Sequence, residues 1–183
     1  HGATHAYPPI VGGGANACIL HYIENAAVLK KGDLVLVDAG AELEGYAADV
    51  TRTFPVGGRF SGPQRDIYAC VLAAQAAAIA AVKPGADWNA PHEAAVRVLC
   101  EGLRDLKILP GSLEELLASQ SYRRHYMHRT GHWLGLEVHD VGDYKVDDQW
   151  RVLEPGMVLT VEPGLYLRPA EDLDASAVQE VDP

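Results

Sequence analysis

The chain has 183 residues, 15 basic and 25 acidic, with a formal net charge of −10 at pH 7. That length supports one sizeable core and a single domain over residues 1–183, and the acidic balance argues against a nucleic-acid or anionic-membrane surface. Cys18, Cys70 and Cys100 are far apart and odd in number, which excludes a disulfide framework or a paired-cysteine metal site and makes a reducing, cytoplasmic compartment the expectation.

Taken in order, the chain begins at His1 without an initiator Met. It is read as a processed chain or a fragment, with no signal peptide in view. Residues 1–17 are rich in Gly and Pro and read as loop. Gly12-Gly13-Gly14 is not followed by Gly-Lys-Ser/Thr, so it is not a phosphate loop. Ala17 to Tyr22 reads as a short strand carrying His21.

Leu34-Val35-Leu36-Val37 is an apolar, β-branched run, Glu42 to Gly45 supplies a turn, and Tyr46 to Phe54 runs back. A two-residue loop at Leu43-Glu44 places Asp38 directly opposite Asp49, with side chains on one face about 5 Å apart at Cβ. The flanking Leu36, Val37, Ala47, Ala48 and Val50 are apolar. Two carboxylates held there need a shared proton or a cation between them. An acidic hairpin at an exposed sheet edge is the alternative.

Ser61 and Gln64 have capping-box spacing and Pro63 fits the first turn. They open an alanine-dense helix that runs to about Val82 and stops at Lys83-Pro84-Gly85. Its apolar run from Ala69 to Val82 is 14 residues long, too short to span a bilayer. A second helix follows an Asn89 cap, with Val96, Leu99, Leu103 and Leu106 as its apolar stripe. Ser112 to Ser119 forms a short third helix. These helices are expected to cover a sheet, making the class α+β, and His92 on the second of them is read as a surface residue. Beyond them Trp133 to Val138 and Val158 to Val161 return to strand character, Glu162-Pro163-Gly164 interrupts, and Leu165-Tyr166-Leu167 continues. The tail from Arg168 is polar and acidic.

Chelating groups recur inside apolar strand sequence. His128, His132 and His139 fall within twelve residues, and Glu162 sits in a β turn. Each alone is an ordinary core or surface residue. Together with the acid pair they make an oxygen-rich set with one nitrogen, which suits Mn²⁺, Co²⁺ or Zn²⁺ better than a thiolate-selected metal. A bridging aspartate suggests two metals roughly 3.5–4 Å apart.

Four stretches carry a family resemblance: Leu36 to Gly40, Tyr46 to Phe54, Gly131 to Asp140, and Val161 to Tyr166. They resemble aminopeptidase P (Xaa-Pro aminopeptidase), of the pita-bread metallopeptidase family that also holds prolidase and methionine aminopeptidase. The resemblance implies a curved antiparallel sheet covered by helices. It also implies a metal-dependent hydrolase, an aminopeptidase that releases the N-terminal residue from peptides with proline in second position.

By resemblance Asp38 is a ligand of one metal, Asp49 bridges, and His132 and Glu162 hold the second, with manganese first and cobalt or zinc as alternatives. Glu162 also resembles the general base. His21 and His139 match histidines that handle substrate and the tetrahedral intermediate. His128 matches a histidine beside the proline pocket, and Tyr166 lines it.

The family's N-terminal domain and its last strands, with a second bridging glutamate in an Arg-Ile-Glu-Asp type motif, are not matched here. Glu180 is an acid in the right region, but its surroundings differ and the role is not carried over to it. The expected partner is a peptide with an Xaa-Pro N-terminus, not nucleic acid or membrane. A homo-oligomer is left open. Two rival readings are prolidase, which cleaves only dipeptides, and a catalytically inactive pita-bread module that binds peptide.

Overall fold

A computed structural model describes residues 1–168. Its framework is a long bent hairpin. Strands β1 (Thr4–His5), β2 (Ile10–Gly13), β3 (Leu34–Asp38), β4 (Ala41–Leu43), β5 (Tyr46–Ala47) and β6 (Thr51–Pro55) form two antiparallel sheets, ordered β1-β4-β5 and β2-β3-β6. One register runs through both: Leu43 pairs with Tyr46 and Glu42 with Ala47, then Asp38 with Thr51 and Leu34 with Pro55. The bonds Ala48 N–H to Ala41 O and Ala39 N–H to Val50 O bridge the gap between the sheets.

The loop is therefore Glu44-Gly45, not Leu43-Glu44. Both residues have positive φ, 53° and 85°, as a type I′ turn requires. Gly45 meets that demand without a Cβ penalty, whereas Leu43 could not meet it cheaply. The correction moves the partner of Asp38 from Asp49 to Thr51. Asp49 stays on the same face, because the shift is by two residues and side chains alternate with period two.

The expected strand at Ala17 to Tyr22 is absent. Gly14–Cys18 is a 3₁₀ turn instead, and His21 has φ of 56°. Short apolar runs do not distinguish a strand from a packed turn.

The helices agree more closely with expectation. Helix α1 (Gly62–Ala81) starts on a complete Ser61–Gln64 capping box, a feature worth about 1 kcal/mol. Helix α2 (Ala90–Asp105) buries Val96, Leu99 and Leu103. Leu106 lies past its last turn and is exposed, so it does not extend the stripe. Asn89 holds the N-cap position of α2 as expected but makes no side-chain cap bond; Asp87 Oδ1 instead accepts from the N–H groups of Asn89 and Ala90 at 2.8 and 2.9 Å. Helix α3 (Leu113–Ser119) starts on a Ser112–Glu115 capping box. Helices α1, α2 and α3 close around Ala74, Ala78, Leu99, Cys100, Leu103, Leu116 and Tyr126, with Val161 and Leu165 packed against that core. The helices thus cover the segment that carries Glu162.

Residues 130–134 and 158–162 lie antiparallel. Trp133 bridges Leu159, and Leu134 N–H, Thr160 N–H and Glu162 N–H donate to Val158 O, His132 O and Thr130 O. The expected strand Trp133 to Val138 ends at Leu134, where Gly135 N–H turns to Glu137 O and Asp140 N–H to Trp133 O. A small hairpin, β7 (Lys145–Val146) and β8 (Gln149–Trp150), follows. Among the described residues no helix is long and apolar enough to cross a membrane.

Candidate metal centre

The two halves of the chain meet where Ala47 N–H donates to Gly135 O at 2.8 Å. That bond draws the acid-bearing hairpin against the segment carrying His132. Gly131 lets the neighbouring backbone close in, since a Cβ there would collide with the carbonyl oxygen of Thr160. His132 N–H then donates to Thr160 Oγ1 at 3.0 Å, and that hydroxyl donates to Glu162 Oε1 at 2.7 Å. Thr160 so ties the imidazole-bearing strand to the carboxylate-bearing one.

Asp49, His132 and Glu162 converge, their donor atoms within 4.8 Å of one another. His132 Nε2 stands 3.3 Å from Asp49 Oδ2 and 3.2 Å from Glu162 Oε1. Its Nδ1 faces Trp133 O at 2.8 Å, which takes the ring proton there and turns Nε2 to the carboxylates. Burial alone would lower the His132 pKa. The hydrogen bonds to Asp49 and Glu162 outweigh burial and push it up to about 10. In turn, burial would raise Asp49, but hydrogen bonds from His132 and Tyr7 hold it below the usual carboxylate range.

Asp38 stands outside that trio and is tied to it through Tyr7. The Tyr7 hydroxyl lies 2.5 Å from Asp38 Oδ1 and 3.0 Å from Asp49 Oδ1. Burial raises the Asp38 pKa, the Tyr7 hydrogen bond works against it, and the charge of Asp49 adds to the rise. Burial and the two acids push the Tyr7 phenol well above its ordinary value. Tyr7 was not legible as a site residue. It is 31 and 42 residues from its partners, and a lone Tyr between His5 and Pro8 matches no motif.

The other candidates surround this pole. His139 is exposed, its ring 4.3 Å from that of His132 and 6.2 Å from that of His21. Partial burial, then the charges of His132 and His21, lower its pKa and favour the neutral imidazole. His128 is fixed at both ring nitrogens: Nδ1 faces Arg129 O at 2.7 Å, and Nε2 accepts from the Tyr166 hydroxyl at 2.9 Å. Burial lowers the His128 pKa and raises that of Tyr166. His92, expected at the surface, is half-buried with Nδ1 2.9 Å from Thr130 Oγ1. Burial, and then Arg129, push its pKa down to about 3. It sits on the face of α2 turned to residue 130 rather than to solvent. Glu180 lies outside the described residues.

The donor set fits a divalent cation. Two carboxylate oxygens and an imidazole nitrogen, whose lone pair is released when a cation displaces the Nε2 proton, converge on one point, and oxygen with nitrogen donors suits Mn²⁺, Co²⁺ and Zn²⁺. Three such groups around one centre are stable only with positive charge among them.

A family model described as metallopeptidase family M24 matches residues 1–181. The Xaa-Pro aminopeptidase of Haemophilus influenzae is 55% identical over 169 residues, which is 92% of this chain and 39% of that protein. The structure of Pseudomonas aeruginosa aminopeptidase PepP superposes with a TM-score of 0.92 at 54% identity, over 98% of this chain and 41% of that one. A zinc-substituted Escherichia coli aminopeptidase P in complex with product gives 0.88 at 50% identity, over 92% of this chain and 38% of that one. The chain thus spans about two fifths of the length of the relatives it matches. The fold is the α+β pita-bread architecture of aminopeptidase P, as the sequence led us to expect.

Proposed function

This chain belongs to metallopeptidase family M24, and from that premise we propose that it carries the metal centre of an enzyme that releases the N-terminal residue from peptides with proline in second position. The observation that carries this reading is the convergence of Asp49 Oδ2, His132 Nε2 and Glu162 Oε1. The names of its relatives supply the direction of the chemistry. Residues 1–183 are read as one catalytic-type domain, acting on a peptide with an Xaa-Pro N-terminus.

Asp38, Asp49, His132 and Glu162 would hold two divalent ions, manganese first, with cobalt and zinc as alternatives. When bound, such ions supply Lewis acidity, polarising a carbonyl and acidifying water. The chain's own groups do the rest. The Glu162 carboxylate takes the proton of the attacking water and passes it toward the leaving amine. His139, held neutral, donates a hydrogen bond to the oxyanion as it develops. His21, beside it, shares the handling of the substrate's N-terminal residue. His128 and Tyr166, locked to each other by one hydrogen bond, form a rigid wall for the proline ring.

The test is release of the first residue from an Xaa-Pro-Yaa tripeptide by the full-length protein. The protein is stripped with chelator and then reloaded with Mn²⁺, Co²⁺ or Zn²⁺. Activity should vanish on stripping, return on reloading, and fall sharply when Ala replaces the second-position proline. Turnover indifferent to chelator, or to that proline, would refute the reading. Cleavage of the Xaa-Pro dipeptide alone would turn it to prolidase, and metal binding without cleavage to a peptide-binding module.

A further inference from the structure

Strands β1 and β2 both pair with the outer edge of the long hairpin, but not in one register. Thr4 and His5 pair with Glu42 and Ala41, and Ala6 N–H donates to Gly40 O; from Ile10 onward the partners begin at Asp38. The register therefore slips by two residues between Ala6 and Ile10, at Tyr7-Pro8-Pro9. The prolines there have no N–H to give to a ladder. An extra pair of residues in one strand re-aims the side chain that it carries. Tyr7 is the residue re-aimed, and its hydroxyl ends between the two acids.

The oxygens it takes are sorted. Tyr7 faces Oδ1 of Asp38 and Oδ1 of Asp49, whereas the Asp49 oxygen that faces His132 is Oδ2. A carboxylate rotates freely about its Cβ–Cγ bond unless something holds one oxygen. With Oδ1 engaged by Tyr7, Asp49 keeps Oδ2 turned to the pole that His132 and Glu162 share. A single phenol in contact with both acids also ties their two rotations together.

We propose that Tyr7 is a positioning residue of the metal centre, holding Oδ1 of both Asp38 and Asp49 so that Asp49 presents Oδ2 to the cation. This rests on the metal-centre reading above. Outer partners of this kind are worth about 10–100-fold in metal affinity. Tyr7 is not one of the three groups whose donor atoms converge, and its hydroxyl bonds to the two acids, so its effect runs through them.

The experiment is a calorimetric titration of Mn²⁺ into the metal-stripped full-length protein, wild type against Tyr7→Phe. Visible absorption of the Co²⁺-loaded forms is recorded alongside. Phe keeps the ring and removes the hydroxyl. Tyr7→Phe should bind Mn²⁺ about 10–100-fold more weakly and show altered Co²⁺ bands, with turnover recovered by excess Mn²⁺. Wild-type affinity and an unchanged Co²⁺ spectrum in Tyr7→Phe would overturn the role of Tyr7 and leave the metal centre standing. A wild type that itself binds no Mn²⁺ would bring down both. If Tyr7→Phe does not fold, the wild type answers by NMR. A tyrosine hydroxyl proton protected from exchange, whose resonance moves when Zn²⁺ is added, supports the role, and a freely exchanging hydroxyl overturns it.

Discussion

Metal binding should release a proton from His132, and its affinity should climb with pH. In the metal-free centre the Nε2 proton sits between Asp49 and Glu162, at 3.3 and 3.2 Å, and the imidazole pKa is pushed up to about 10. A cation taking Nε2 must displace that proton. At pH 7 the competition costs roughly a thousandfold in affinity, about 4 kcal/mol, for a group three units above the ambient pH. The sign for stability follows from the same group. Its folded pKa is raised above the unfolded value near 6.5, so it stabilises the metal-free protein fully below about pH 6.5. That contribution is lost as pH rises through about 10, at up to about 1.4 kcal/mol per unit. The assay is calorimetric titration of Mn²⁺ in buffers of differing ionisation enthalpy, from about pH 6.5 to about pH 9. About one proton should leave per ion bound at this site, with affinity rising up to tenfold per pH unit. Zero proton release at pH 7, with affinity flat across that range, would refute the placement of His132 between the two acids.

Gly131→Ala should destabilise the protein by about 1–3 kcal/mol, at the upper end because the Cβ meets the backbone of Thr160 rather than a pliable side chain; an unchanged denaturant midpoint would count against that packing. His139→Ala should lower kcat far more than metal content, while His132→Ala should lose metal first; elemental analysis beside kinetics decides, and equal metal loss in both would erase the distinction. His92, with its pKa near 3, must stay neutral in the fold, so stability should fall as pH drops from about 6.5 toward 3, at up to about 1.4 kcal/mol per unit. His92→Asn should flatten that slope in pH-dependent denaturant melts, and an identical slope would place the imidazole in solvent.

Local chemistry decided the elements that could be read directly. Ser61 and Gln64 bond within one turn, so helix α1 was legible from four residues. The acid pair, the histidine stretch and Glu162 were legible as donors because carboxylates and imidazoles embedded in apolar strand sequence are costly without a role. The same locality failed where two neighbours offer the same service. Asp87 and Asn89 can both offer an oxygen to the first turn of α2, and only the backbone path makes Asp87 the acceptor while Asn89 holds the N-cap position. The hairpin register turned on which two residues adopt positive φ, and Gly45 is the one that does so without a Cβ penalty.

Three residue types at four places, each suited to a metal, is what the sequence by itself determined. Their assembly is tertiary. Asp49 meets His132 only because Ala47 bonds to Gly135, and Glu162 joins them only because Gly131 admits the Thr160 backbone. Tyr7 reaches both acids only through a two-residue register slip in a different strand. Such contacts join residues 28 positions apart for His132 and Thr160, 42 for Tyr7 and Asp49, and still farther apart for Ala47 and Gly135, and no local propensity encodes distances of that length. They follow from how two sheet edges close on each other, and that closure is set by the packing of the whole chain.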